Sequence, residues 1–164
     1  VHGEGQMKKD FMFTSESVTE GHPDKLCDII SDAVVDHFLQ QDPFANIIAE
    51  CAVATAIVFI AARFSSPVRA DFANIARQVI DMVGYDQQAF NSKTCSIITS
   101  IKEFPDGVRR DVDERTMTED QLERVIVRDQ VTVFGFACNQ TSALMPLPIW
   151  LANRLARKLT SVRL

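Results

Sequence analysis

Four consecutive residues, His22, Pro23, Asp24 and Lys25, set an imidazole, a carboxylate and an ammonium where an apolar helical pattern begins. Proline is pre-set for the first turn of a helix, and glycine at 21 leaves the chain free to bend before it. A helix start carries unpaired N–H groups and a partial positive charge, so it attracts anions. His22 and Lys25 add donors there. Asp24 repels a phosphate directly but can hold a divalent cation that binds one. The cluster therefore reads as a site for a polyphosphate with its metal. On spacing alone the alternative is a capped surface helix with incidental charges, because short motifs also arise by chance.

The elements that must position this turn follow from periodicity. A short strand is expected over 11–15. A helix is expected over 23–41, with Leu26, Ile29, Ile30, Ala33, Val34 and Phe38 on one apolar stripe, ended by Asp42-Pro43. His37 lies on that stripe and reads as a packed core or edge histidine. On the other side Asp24, Asp28, Asp32 and Asp36 recur every four residues. Like charges at that spacing oppose a helix by about 0.2–0.5 kcal/mol per pair, so the row is either solvated or offset by cations or basic side chains. Residues 47–64 are rich in β-branched side chains and read as a hairpin turning near Thr55, its second half apolar enough for burial on both faces. Glu50 interrupts the apolar first strand. A buried carboxylate requires a partner, which leaves an ion site and Arg63 across the hairpin as alternatives.

A helix over 67–83 follows, with Gly84 as its C-cap, then a strand over 94–102. Residues 103–128 are highly charged and carry a capping box at Thr118-Glu119-Asp120-Gln121 before a short helix. A strand over 131–138 and an amphipathic helix over 148–162, bearing Trp150, Leu151, Leu155 and Leu159, complete the order. That order fits an α+β fold, a mixed β-sheet with helices on one face.

At 164 residues the chain can bury one sizeable core, or one domain with part of another. A net charge of −5 with no lysine–arginine tract argues against nucleic acid as the main partner. Cys27, Cys51, Cys95 and Cys138 lie far apart with no C-x-x-C pair, as reduced thiols of a cytoplasmic protein do, and give no zinc spacing. The longest apolar run, Ala52 to Ala62, is too short to span a bilayer, so no membrane partner is expected. Residues 1–10, with Met7 preceded by Val1 to Gln6, read as a leader outside the fold.

Residues 13–36, F-T-S-E-S-V-T-E-G-H-P-D-K-L-C-D-I-I-S-D-A-V-V-D, strongly resemble the opening of the S-adenosylmethionine synthetases, the methionine adenosyltransferases. Shorter echoes follow in family order: Gln41-Asp42-Pro43 before the strand with Glu50, Val83-Gly84-Tyr85, Asp129-Gln130, Phe134-Gly135-Phe136-Ala137 and Met145-Pro146-Leu147-Pro148-Ile149. The resemblance implies an enzyme acting on ATP and L-methionine. The methionine sulfur attacks C5′ of the ribose and expels the triphosphate, which is hydrolysed to phosphate and diphosphate. It also implies Mg2+, K+ and sites built between two subunits. Carried across, His22 and Lys25 are catalytic, with His22 assisting departure of the triphosphate. His22, Lys25 and Asp129 bind ATP, Asp24 holds magnesium and Glu50 is the potassium-site carboxylate. Displacement at carbon by this route needs no nucleophilic side chain, only positioning and charge neutralisation at the departing oxygen. The implied fold is an incomplete version of the family's three layers. Residues 11–102 would form the N-terminal domain, 103–128 a gate-like loop and 129–164 the start of a second domain.

The chain also departs from the family pattern. The family's T-G turn and G-G-E stretch read Thr55-Ala56 and Ala61-Ala62-Arg63, so Arg63 stands where a methionine-binding glutamate is expected. An arginine there repels the methionine ammonium. Q-S-P-D has become Glu103-Phe104-Pro105-Asp106, which alters a second methionine contact at Glu103, and G-D-Q-G has become Arg128-Asp129-Gln130-Val131. The family's later phosphate loop and lysines lie beyond Leu164, which falls inside an apparent helix. Two expectations result. One is a methionine adenosyltransferase or its N-terminal fragment, oligomeric because a bared sheet face drives association. The other is an inactive truncated paralogue serving as a nucleotide-binding or regulatory subunit.

Overall fold

A computed structural model describes residues 12–104, 114–125 and 131–163. It divides into two compact units, one over Glu20–Thr132 and the other combining the chain before residue 20 with Val133 onward. The larger unit runs α1 (Pro23–Gln41), β1 (Asn46–Ala54), β2 (Ile57–Ser65), α2 (Phe72–Val83), a small hairpin of β3 (Asp86–Gln87) and β4 (Phe90–Asn91), β5 (Ser96–Glu103) and α3 (Glu119–Glu123).

Helix α1 forms where the apolar stripe and Pro23 place it. Leu26, Ile30, Val34 and Phe38 recur every four residues and are fully buried, so one side of the helix lies on the sheet. Each such side chain contributes about 1.5–3 kcal/mol relative to exposure. Asp28, Asp32 and Asp36 are exposed, so the acidic row lies on the side of the helix away from the sheet. Asp42 ends the helix in extended backbone. Its buried carboxylate accepts from the Ser66 hydroxyl at 2.7 Å and the Phe44 N–H at 3.1 Å, tying the helix end to the end of β2.

The hairpin turns at Thr55, whose φ of 55° lies in the left-handed region. Strands β1 and β2 pair antiparallel, and β2 pairs parallel with β5 after the α2 crossover, giving the order β1-β2-β5. Val58, Ile60, Ala62 and Phe64 of β2 are buried with Phe72, Ala76, Val79 and Ile80 of α2. Phe38, Phe64 and Phe72 close the core as an aromatic cluster, the first two rings 4.8 Å apart. This mixed sheet with helices on one face is the expected α+β arrangement.

Several local expectations are corrected. Strand β2 is buried on one face only. Its residues alternate because the helices cover a single side, and Ile57 and Phe59 stay over 40% exposed. Helix α2 starts at Phe72 rather than 67, because the Asp71 carboxylate caps it by accepting from the Asn74 N–H at 2.9 Å. Residues 12–15 form no strand, and neither do 131–138. Val133, Phe134 and Phe136 are at least 75% exposed there, for β-propensity makes no ladder without a neighbouring strand. The capping box at Thr118 does form and opens α3.

In the smaller unit α4 (Leu147–Arg163) begins with its first N–H held by Gln140 Oε1 at 3.0 Å. Arg154 lies over the Trp150 ring at 4.6 Å. Leu155 and Leu159 are each 65% exposed and Ala156 is the buried position, so among the described residues the leucine side of this helix is bare. No helix among the described residues is long and apolar enough to cross a membrane.

The four cysteines are free thiols. Burial, and then the neighbouring Cys27, push the Cys51 thiol up to about 12. The folded chain therefore keeps a proton that the unfolded chain releases near the ordinary thiol value of about 8.5. This group's stabilisation is whole below that value and is lost as pH rises toward the folded one. In urea melts at alkaline pH the native chain should lose stability more steeply than Cys51→Ala; parallel profiles would remove the thiol from the account.

Candidate functional site

His22 is the N-cap of α1, in extended backbone with φ −71° and ψ 136°. Its Nδ1 accepts from the Asp24 N–H at 3.2 Å and lies 3.8 Å from Asp24 Oδ2. The His22 carbonyl meanwhile accepts from the Leu26 N–H at 2.8 Å, the first bond of the helix. With Nδ1 an acceptor, the neutral ring carries its proton on Nε2. That N–H is the donor the site offers to an incoming group.

Asp24 and Lys25 share the turn and face solvent, with the Asp24 side chain 92% exposed. Among the described residues no three His, Cys, Asp or Glu side chains converge as a metal cage. One open carboxylate is nevertheless how magnesium is commonly held, with phosphate oxygens and water completing its six ligands. Asp24 fits that role once a polyphosphate supplies the oxygens.

The turn is fastened from behind. The Tyr85 hydroxyl donates to the carbonyl of Gly21, and the Tyr85 ring stands edge-on to Phe90 at 4.9 Å. Gly84, at φ 85°, ends α2 in the left-handed conformation and turns the chain into Tyr85. The sequence marks Val83-Gly84-Tyr85 as a helix end and a family echo, with no partner for the tyrosine. A contact across 64 residues leaves no trace in local spacing. The bending freedom expected of Gly21 is not used, since Gly84 is the one glycine with positive φ among the described residues.

The remaining expected site residues lie elsewhere. Strand β1 turns Ile47, Ala49, Cys51 and Val53 toward the core, so Glu50 faces the bare side of the sheet and is exposed. The buried carboxylate that sequence suggested is therefore absent. Arg63 pairs in register with Ile48, while Glu50 pairs with Ala61, and no ion pair joins Glu50 to Arg63 among the described residues. Across β2 and β5 Arg63 stands opposite Lys102, setting two cations side by side. The Glu103 carboxylate is engaged by Arg69 at 3.0 Å. His37 Nε2 lies 3.1 Å from the Arg69 carbonyl and 3.1 Å from Gln41 Nε2, a packed edge histidine as expected. Asp129 falls outside the described residues, as do 105–113 and 126–128 of the gate-like segment. The structure thus brings His22, Asp24 and Lys25 together and turns Glu50 and Arg63 to the opposite side of the sheet. A groove of about 450 Å³ between α1 and α2, lined by Asp32, Asp36, His37, Gln78 and Met82 among others, contains none of these residues.

The family model described as S-adenosylmethionine synthetase, N-terminal domain, matches residues 10–105, more than half of the chain. The model described as S-adenosylmethionine synthetase, central domain, matches residues 124–164.

Histidine is a weaker N-cap than serine, whose hydroxyl accepts well from the second or third N–H of a helix. His22→Ser should therefore melt at the same or a higher temperature. A fall of several degrees in a calorimetric scan would show that the imidazole is there to hold the helix rather than to meet a ligand.

Proposed function

Since the chain belongs to the S-adenosylmethionine synthetase family, we propose that it is the triphosphate-holding portion of a methionine adenosyltransferase, the enzyme that converts ATP, L-methionine and water to S-adenosylmethionine, phosphate and diphosphate, and that this portion by itself holds the nucleotide without completing the reaction. The carrying observation is the His22 cap. The Asp24 N–H occupies Nδ1, so Nε2–H is left as donor beside an open carboxylate and Lys25. In the reaction the methionine sulfur forms a bond to C5′ while the bond from C5′ to the triphosphate oxygen breaks. Negative charge grows on that oxygen. His22 donates its Nε2–H bond to it, and Lys25 with the start of α1 places positive charge alongside. Magnesium, held by Asp24 and the phosphates, supplies further charge neutralisation when bound. Asp129 is assigned to the adenosyl side and Glu50 to potassium, in the same reading that sets 11–102 as the N-terminal domain, 103–128 as the gate and 129–164 as the start of the next.

Glu50 and Arg63 occupy the bare sheet face with Ile48, Phe59 and Ile98, each at least 40% exposed. Phe59 and Ile98 are register neighbours, so the apolar surface is continuous across β2 and β5. A second copy of the chain is the proposed cover for this face. Dimerisation by that route would let the outward-facing residues of one subunit serve a His22 turn on the other. Four free thiols suit a reducing cytoplasm. Arg63, with Lys102 beside it, opposes the ammonium of methionine.

Calorimetric titration with magnesium and a non-hydrolysable ATP analogue tests the proposal. The native chain should bind. His22→Ala should weaken binding by about tenfold, the worth of one hydrogen bond to a charged group, and Asp24→Asn should weaken it by removing the carboxylate charge that would hold the magnesium. Equal affinities in all three would remove the turn from the site. Incubated alone with ATP, methionine, magnesium and potassium, the chain should form no S-adenosylmethionine; any sulfonium product would contradict the role given to Arg63.

A further inference from the structure

We infer that Tyr85 is a positioning residue for the His22 turn: its hydroxyl, bound to the Gly21 carbonyl, sets the direction in which the His22 ring and the Asp24 carboxylate face their ligand. The inference rests on the reading of that turn as the triphosphate site and adds a residue to it.

The ring of His22 is aimed by two things. One is the hydrogen bond from the Asp24 N–H to Nδ1, which lies within the turn and moves with it. The other is the path of the backbone entering the N-cap. The Gly21 carbonyl, one residue before His22, is held by Tyr85. The His22 carbonyl is fixed by the helix through the Leu26 N–H. Rotation about the Cα–C bond of His22 would nevertheless swing its side chain and the Gly21 peptide together without disturbing the buried stripe further along α1. The stripe alone therefore cannot fix the ring, and the hold on the Gly21 carbonyl opposes that rotation. Tyr85 is itself rigid. Its ring is half-buried and stacked edge-on to Phe90, which is 5% exposed, and Gly84 brings it out of α2 by a left-handed turn. The hydroxyl therefore transmits the position of the α2 end to the start of α1. Gly21 is not required to admit it, because a Cβ there would stand 4.0 Å from the tyrosine oxygen, an ordinary contact.

Removing the hydroxyl separates positioning from folding. Tyr85→Phe keeps the ring against Phe90 and loses one hydrogen bond. Its melting temperature should fall by no more than that of Val79→Ala, a cavity variant in the α2 core. Hydrogen exchange of the Asp24 and Leu26 amides in the ligand-free chain should speed up about fivefold in Tyr85→Phe, the worth of one neutral hydrogen bond, and should keep its native rate relative to the rest of α1 in Val79→Ala. Affinity for magnesium with the non-hydrolysable ATP analogue should fall about five- to tenfold in Tyr85→Phe and less than twofold in Val79→Ala. Native exchange at the first turn of α1, or equal loss of affinity in both variants, would overturn the positioning role. If the exchange changes as stated while neither the native chain nor His22→Ala binds the analogue, the latch stands and the triphosphate reading fails. If His22→Ala loses binding and Tyr85→Phe does not, the reading stands and the latch fails. Tyr85 is the only tyrosine in the chain, so 3-fluorotyrosine reports on it alone in an otherwise native protein. Its fluorine resonance should shift when the analogue binds, and a resonance that stays still at saturation counts against the inference even if Tyr85→Phe does not fold.

Discussion

One hydrogen bond, from the Asp24 N–H to Nδ1 of His22, decides what the first turn of α1 can do. It satisfies one of the amides that a helix start leaves unpaired. It also selects the ring tautomer, which leaves the proton of the neutral ring on Nε2. The bond is exposed and modest in strength. It persists because α1 is held along its length by Leu26, Ile30, Val34 and Phe38, which are fully buried against the sheet. The apolar stripe fixes the helix, the helix fixes its own start, and the start presents a donor, a carboxylate and an ammonium to solvent together.

The same packing explains why one chain exposes only part of the expected chemistry in one place. Both long helices of the larger unit lie on a single face of the three-stranded sheet. Strand alternation then sends neighbouring residues to opposite sides. Cys51 goes in toward α1 and Glu50 goes out. A sheet layer therefore separates Glu50 and Arg63 from the helix-covered side. That separation is a consequence of the sheet's topology.

Much of this was legible in the residues. The α1 limits follow from Pro23 and Asp42-Pro43, and the hairpin from its β-branched runs around Thr55, because these signals are local. The Gly84 cap was legible for the same reason. The errors have a common cause. Residues 131–138 have strand composition but no neighbour to pair with among the described residues, and the apolar run of β2 suggests burial on both faces where helices cover only one. The apolar residues around Glu50 suggest burial, although a period of two places it outside. Tyr85 was missed because its partner is 64 residues away. Composition reports what a segment can do, and tertiary neighbours decide which of those things it does.

The account stands or falls on where the metal–triphosphate sits. Manganese can replace magnesium and broadens the NMR signals of nuclei close to it. With the non-hydrolysable ATP analogue present, the account predicts selective loss of the amide signals at 22–26, and no such loss with manganese alone at the same concentration. Broadening centred instead on the Asp28, Asp32 and Asp36 row, with or without the nucleotide, would contradict it.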